Sequence, residues 1–480
     1  MRARSLSWLV ASLGMALGCG SAWADWTNAG GNAGRNGLIS EIGPDSASIL
    51  WSTAPTAIIA YQPVIEGDRV FMVRQNSFIP NNVPNDSPIV CKNLHTGATC
   101  WAANLPYNSG DWTTWVAGVK NGRVYASRSG NGASVNAKLY CLDALTGAIL
   151  WPSVDLINAG AYDGAQFADN GDPIIASFQT VKRIRAVDGT TAWSAPRVCS
   201  VSGNCGGAVY GNAVYVVDAV VGGHVVKRFD INTGALQYAS PVMAGFTIQN
   251  SPMVGPDGTV YVPRTQNNAS VDFFYAFNDD GTAITLKWSI PARWTTSSEF
   301  AVGPDGSVYM FAPGNVISRR NPVSGVEINH SAVIALDSSA GNVSPRLGID
   351  SQGRVFFSNG QFSTGRFYSF NADLTDRWSV AVPNINIGAP AIGQDGILVV
   401  CGVGTNVVAY DTISKPTCGP DIAPPGGNGI VNVDDLLVVI NSWGPCPAPC
   451  PRYCTADIDH NCAVNVDDLL AIINGWGPCP

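Results

Sequence analysis

Two alternating series of turn signals constrain this chain more than anything else in it. One series is a hairpin dipeptide leading into an apolar run: Gly67-Asp68, Asn121-Gly122, Gly171-Asp172, Gly211-Asn212, Asp257-Gly258, Asp305-Gly306, Gln352-Gly353 and Asp395-Gly396. The other is an Asp or Asn that opens a second turn: Asn93, Asp143, Asp188, Asp230, Asn278, Asn321, Asn371 and Asp411. They alternate without a miss at intervals of 40 to 54 residues. Dipeptides such as Asn-Gly tolerate the positive φ of a tight hairpin turn, so each marks two antiparallel strands. In the second series the side-chain oxygen caps the backbone amides of the turn. The fullest copy is Tyr140–Trp151, where an apolar strand runs into Asp143, turns at Thr146-Gly147 and leaves in a strand ending at Trp151. Cys91–Trp101 repeats Cys141–Trp151 at the same length.

About four short strands in each such period predict an all-β chain, an eight-bladed β-propeller over residues 25–412. A lone blade is a small sheet with bare edges and an unburied face; stacking blades in a ring buries the faces, and closure removes the ends. The eighth unit stops at Ala409-Tyr410-Asp411 without an outer strand, while Ser48-Ile49-Leu50-Trp51 belongs to no unit. The spacing predicts that this N-terminal segment completes the eighth blade and closes the ring.

Composition agrees: charged residues are only 13%, with 52 Gly and 31 Pro, as many short strands and turns require. Residues 1–24 read as a secretory leader, with Arg2 and Arg4, the apolar core Trp8–Leu17, and an A-x-A site at Ala22-Trp23-Ala24. A lipoprotein reading through Cys19 meets Ala16 where Leu is expected. Leader removal leaves twelve of the 13 cysteines, an even number for a protein expected to be secreted, extracellular or at the cell surface. No apolar run approaches the roughly 18 residues of a membrane span. A net charge of −8 argues against a nucleic-acid partner.

The recurring Asp/Asn, Gly and Trp resemble the repeat of the quinoprotein-dehydrogenase-like, or PQQ-repeat, propellers, in which the Trp packs between neighbouring blades. The likeness is strong at Asp143, Gly147 and Trp151 and at Asn93, Gly97 and Trp101; Tyr238 replaces the Trp in the fourth unit, and the sixth has no aromatic there. It spans residues 40–411 and implies a fold, not an activity. The dehydrogenases of that group hold a quinone beneath a disulfide between adjacent cysteines, and no Cys-Cys occurs here. Glu66, Asp111, Asp155 and Asp163 read as turn or surface acids rather than a sugar-cleaving pair, and Trp112 and Trp115 as blade packing ahead of a sugar-stacking platform. Cys91 and Cys100 flank one turn and suggest a cross-hairpin disulfide, Cys199 and Cys205 could close another small loop, and Cys141 and Cys401 read as buried thiols.

Beyond a linker at 413–417, a second repeat occupies residues 418–480. Cys418-x-x-Asp421-Ile422 is echoed by Cys454-x-x-Asp457-Ile458, and the run Val-Asn-Val-Asp-Asp-Leu-Leu at 431–437 recurs at 464–470. From Cys418 onward there are seven Asp, one Arg and no Lys or Glu. In the second copy Asp457, Asp459, Asn461, Asn465 and Asp468 fall at positions 1, 3, 5, 9 and 12 of a twelve-residue calcium loop, with the Ala463 carbonyl at 7. Cys462 stands where such loops carry Gly. In the first copy Asp435, Asn432, the Ile430 carbonyl and Asn428 fit; Asp421 fits only if the Pro424-Pro425-Gly426-Gly427 region bulges by three residues.

This paired loop–helix arrangement, each loop ending in Asp, resembles a dockerin domain. The resemblance implies calcium as cofactor and a cohesin-like module as partner, contacted through Val433-Asp434 and Val466-Asp467. Identical pairs in both copies imply binding in two orientations related by the internal two-fold. Symmetry favours the disulfides Cys418–Cys446 and Cys454–Cys479, leaving Cys450 with Cys462, among fifteen possible connectivities. The functional expectation is a secreted non-catalytic propeller that binds protein or polysaccharide and is anchored by its tail. The alternative is a carbohydrate-active hydrolase or lyase or, further off, a quinone-dependent dehydrogenase.

Overall fold

The structure, a computed structural model, describes residues 25–53, 57, 61–75, 88–107, 114–128, 137–157, 164–199, 206–244, 251–264, 272–292, 300–336, 346–360, 363–383, 385, 388–402, 407–411, 419–423, 429–446, 454, 456–459 and 461–479. The leader 1–24 and the linker 413–417 lie outside them.

Eight antiparallel sheets follow one another along the chain, seven with four strands and one with an added fifth. Blade 2 gives the plan: Trp115–Lys120, Arg123–Ser127, Ala137–Asp143 and Ile149–Ile157, from the axis outward. All eight hairpin dipeptides join first to second strands, and seven of the eight Asp/Asn residues lie within one residue of the end of a third strand; Asp188 sits later, in a turn that opens at Arg185. Both kinds of turn therefore crowd one face of the disc, called the turn face below. Seven blades carry the same bulge beside the third-to-fourth turn, one extra residue on the outer strand.

The turn chemistry is visible at Asp143. Its Oδ1 accepts from Thr146 Oγ1 and N at 2.8 Å and from Leu145 N at 3.0 Å. These bonds, the Thr146 hydroxyl foremost, hold the carboxyl below its ordinary range.

Gly and Trp are coupled across the blade interfaces. Trp101 of blade 1 lies over Gly147 of blade 2 so closely that a Cβ there would come within 2.7 Å of its ring, and its Nε1 donates to Ala144 O at 3.0 Å. Where the ring is missing, so is the need for bare space. Tyr238 replaces Trp in blade 4, and nothing lies within 4 Å of a Cβ on Gly281 in blade 5. Blade 6 has no aromatic there, and blade 7 carries Leu374 at φ +65° in the corresponding turn. Tyr238 also changes the bonding: it and Tyr215 each donate to Asp279 at 2.6 Å, and Arg228 pairs with that carboxylate at 3.0 Å.

The N-terminus closes the ring twice. Ile49–Thr53 pairs with Val407–Tyr410, setting Trp51 against Ala409, and Trp51 Nε1 reaches Leu94 O of blade 1 at 2.8 Å. This is the closure that the orphan segment predicted. The preceding residues trace a full circle around the axis, which the sequence reading missed. Carbonyls of Trp26, Thr27, Ala33, Gly34, Asn36 and Gly37 accept from Ile65, Val119, Val209, Val254, Val302 and Ile349, on the inner strands of blades 1, 2, 4, 5, 6 and 7. Asn28 Nδ2 reaches Gln166 of blade 3 at 2.9 Å. At blade 8, Ile42 O lies so close to Gly396 that a Cβ there would fall 1.7 Å from it. The core is distributed between blades: Trp115, Leu139 and Cys141 of blade 2 pack with Phe167, Ile175 and Ile184 of blade 3. Trp115 is thus a packing residue; Trp112 lies outside the described residues.

The cross-hairpin disulfide is corrected: Cys91 and Cys100 are free thiols. The bulge sets Cys91 opposite Trp101 and leaves Cys100 as the extra, exposed residue. Burial, then the nearby Cys100 thiol, push Cys91 above its ordinary pKa. Cys141 and Cys401 are buried thiols, as expected. Cys199 is disulfide-bonded, and its expected partner Cys205 lies outside the described residues.

Candidate metal centre

The C-terminal segment folds as two loop–helix units. Helices α1 (Val433–Asn441) and α2 (Val466–Asn474) start for the same reason. Asn432 and Asn465 cap the first free amides, and Asp435 and Asp468 reach back to the cap residue's own N–H, closing a capping box in each. The carboxylate at loop position 12 is thereby turned into the loop.

In the second unit Asp468 Oδ2 accepts from Asn465 N at 2.9 Å, and Oδ1 from Ile458 N at 2.6 Å. Asp457 accepts from Asn461 N at 3.0 Å and Cys462 N at 2.9 Å. Carboxylate oxygens of Asp457, Asp459 and Asp468 lie within 4.8 Å of one another, the first and last buried and Asp459 exposed. Asn461 Oδ1 accepts from Ala463 N at 2.9 Å, and Asn465 Nδ2 donates to Ala463 O at 3.2 Å. Cys462 sits at φ +75°, so the backbone makes the left-handed turn usually given to Gly. All six positions read from the sequence thus belong to one loop, with three carboxylates converging.

The first unit repeats this network with a longer loop. Asp435 Oδ2 accepts from Asn432 N at 2.8 Å, and Oδ1 from Ile422 N and Ala423 N at 2.7 Å. Asp421 accepts from Gly429 N at 2.7 Å, the counterpart of the Asp457 bond to Cys462. Asp421 therefore stands at position 1, and the loop runs over 15 residues, 421–435, against 12, 457–468, a three-residue insertion. The Ile430 carbonyl is on the strand Ile430–Val431, and Asn428 lies outside the described residues. Ala423 occupies position 3, where the second loop has Asp459, so this loop offers fewer oxygens.

The units interlock. Ile430–Val431 pairs with Gly477–Pro478, after the opposite helix, and Ala463–Val464 with Gly444–Pro445. Val431, Val439, Val464 and Ile472 form the shared core. This exchange overturns the expected disulfides. Cys446 is carried onto the second unit, where its N donates to Cys462 O at 3.0 Å, and it is bonded to Cys454; neither Cys418–Cys446 nor Cys454–Cys479 forms. Cys462 and Cys479 are also disulfide-bonded; Cys418 and Cys450 lie outside the described residues.

Val433-Asp434 and Val466-Asp467 stand exposed at the helix starts. Each Val begins an apolar stripe that the sequence reading passed over: Val433, Leu437, Ile440 and Trp443 on one unit, Val466, Leu470, Ile473 and Trp476 on the other, all 46–54% exposed. The i, i+4, i+7 spacing could have disclosed it.

On the propeller, the acids considered for chemistry have structural partners. Glu66 Oε2 accepts from Gly122 N of blade 2 at 2.8 Å, and Asp155 from the Thr191 hydroxyl at 2.6 Å. Asp111 and Asp163 lie outside the described residues.

The eight sheets, their repeated turn and the Gly–Trp packing define an eight-bladed β-propeller with a PQQ-like repeat. A family model described as outer membrane protein assembly factor BamB matches residues 85–272. Among solved structures, BamB from Moraxella catarrhalis is similar at 14% identity and TM-score 0.52, over 75% of this chain and 98% of its own. Quinohemoprotein alcohol dehydrogenase ADHIIG from Pseudomonas putida HK5 is similar at 12% and 0.53, over 82% and 77%. The computationally designed Ika8 protein is similar at 14% and 0.52, over 76% and 99%. No curated protein matches the chain. At these identities the likeness is one of fold. No helix among the described residues is long and apolar enough to cross a membrane.

Proposed function

We propose that the chain is a secreted, non-catalytic propeller that binds protein or polysaccharide and is held on a partner by a calcium-dependent, dockerin-like module at residues 418–480. One observation carries the docking half. Asp421, Asp435, Asp457 and Asp468 are buried in a segment whose only cationic side chain is Arg452. A buried carboxylate left without a counter-charge costs several kcal/mol. Calcium is the hard cation whose six to eight oxygen ligands suit carboxylates, amides and backbone carbonyls arranged on such a loop. With calcium in place, the second loop would supply Asp457, Asp459, Asn461, Ala463 O, Asn465 and Asp468; the ion's role is to fix the loops and so the helices. The twin apolar stripes, beginning at Val433-Asp434 and Val466-Asp467, support a cohesin-like protein as the partner, docking on either unit.

An enzyme on the propeller is the competing reading, as a carbohydrate-active hydrolase or lyase or as a quinone-dependent dehydrogenase. The dehydrogenase likeness, at 12% identity, carries the fold alone.

The test is calorimetric titration of calcium into the chelator-treated full chain, beside capture of a cohesin module on the immobilised chain. The expected result is saturable uptake with Kd on the order of 10⁻³ M or tighter, lost from the second loop in an Asp457→Asn, Asp468→Asn variant. Capture should need calcium and reverse with chelator. No uptake at millimolar calcium, or capture indifferent to chelator, overturns the reading.

A further inference from the structure

On the turn face, a cleft of about 550 Å³ opens where blades 2, 3 and 4 meet, within the roughly 300–1,000 Å³ of small-ligand sites. Three guanidinium groups line it, Arg123, Arg183 and Arg185, against one carboxylate, Asp172. Arg183 and Asp172 are consumed by each other and by the turns. Arg183 pairs with Asp172 at 2.9 Å and donates to Ile231 O, Asn232 Oδ1 and Asn170 Oδ1 at 3.0–3.1 Å. Asp172 also accepts from Asn170 Nδ2 at 2.9 Å and Ala186 N at 2.8 Å. That pair is a fixed wall with no net charge.

The other two cations are left over. Arg123 has a buried Nε without a hydrogen-bond partner and makes no ion pair among the described residues. It stands two residues from Tyr125 on one strand and so shares its face, and Tyr125 OH reaches Gly171 O of blade 3, so Arg123 is on the side that faces the cleft. Arg185 is steadied through one amino group, which donates to Thr190 Oγ1 at 3.1 Å and Thr191 O at 3.3 Å, and it too makes no ion pair among the described residues. Ala186, Val187 and Ala192 add apolar surface to the same lining.

We infer that this cleft binds a carboxylated sugar unit, its carboxylate between Arg123 and Arg185 and its C–H face on Ala186, Val187 and Ala192. The inference rests on the reading of the propeller as a binding surface and names the ligand class. Guanidinium forks favour planar oxyanions, and the apolar surface favours a ligand with a carbon body over a bare ion.

The test is calorimetry on the full chain with trigalacturonate, with neutral maltotriose and with sodium sulfate. Trigalacturonate is expected to bind at least tenfold tighter than either of the others, weakening as salt rises. Arg123→Gln and Arg185→Gln should each lose about tenfold, Arg123→Lys less, and Arg366→Gln on blade 7 nothing; thermal melts would confirm that each variant is folded. Equal affinity for sulfate, or trigalacturonate binding unchanged in the folded Arg123→Gln, Arg185→Gln double variant, overturns the assignment. Tight maltotriose binding unaffected by those variants would overturn this cleft while leaving the propeller a polysaccharide binder.

Discussion

Replacing Gly147 with Ala tests the packing rule that joins the blades. Gly147 and Gly281 lie between the third and fourth strands of blades 2 and 5, at φ +73° and +86°, so a Cβ strains the backbone similarly in both. That strain costs about 1–2 kcal/mol. The surroundings differ. A Cβ on Gly147 would lie 2.7 Å from Trp101 Cδ2 and Cε3, whereas on Gly281 it meets nothing within 4 Å. Carbon atoms in good contact sit about 3.5–4.0 Å apart, so the indole must retreat by about 1 Å. Overpacking of that kind costs about 1–3 kcal/mol, and the retreat weakens the bond from Trp101 Nε1 to Ala144 O, for about another 1 kcal/mol. Gly147→Ala should therefore cost about 2–4 kcal/mol more than Gly281→Ala in urea unfolding followed by circular dichroism. In a Trp101→Ala background the excess should vanish, because the clash has lost its partner. Equal costs for the two glycines, or an excess that persists without Trp101, would refute the reasoning.

Stability should also depend on pH through the turn face. Burial raises Asp25 to about 6, and burial likewise raises Glu66. An acid whose folded pKa exceeds its unfolded value binds protons more tightly in the native state. Its penalty is absent below pH 4 and grows as pH rises to about 6, reaching about 3 kcal/mol for Asp25. Asp25→Asn should flatten that slope in denaturation measured between pH 4 and 7, and an unchanged slope contradicts the assignment. Tyr238→Phe removes one donor from Asp279, whose side chain is 5% exposed. It should destabilise by about 1–3 kcal/mol and add nothing further in an Asp279→Ala background; full additivity would show that the two do not act together.

The blades were legible because their cause is local. A turn needs a particular residue at a particular place, and Asn121-Gly122 or Asp143 with Gly147 announces itself within a few positions. Closure by Trp51 was legible by subtraction, since Ser48–Trp51 was a strand without a blade and blade 8 was a blade short of a strand. The circle drawn by residues 26–42 was not, because its bonds run from six single carbonyls and the Asn28 side chain to seven distant blades and impose no period. Its Asn and Gly residues read as an ordinary loop.

The metal loops were legible in their ligand spacing, and Asp421 at position 1 needed only the insertion that the spacing required. Their disulfides were misread for a physical reason. Repeat symmetry puts Cys446 with its own unit, but the strand exchange at Gly444–Pro445 delivers it to the other. Cys100 failed similarly: an outer-strand bulge, invisible in composition, moves it out of register with Cys91.

The account stands on a ring fastened by the chain's own beginning, and removing that fastener tests it most directly. The chain should be produced from residue 57 onward and its thermal unfolding followed with and without a synthetic peptide of residues 25–53. Alone, the shortened chain is expected to show no cooperative transition, and the peptide is expected to restore one by refilling the axis and the outer edge of blade 8. A shortened chain that melts like the full one, indifferent to the peptide, would contradict the account.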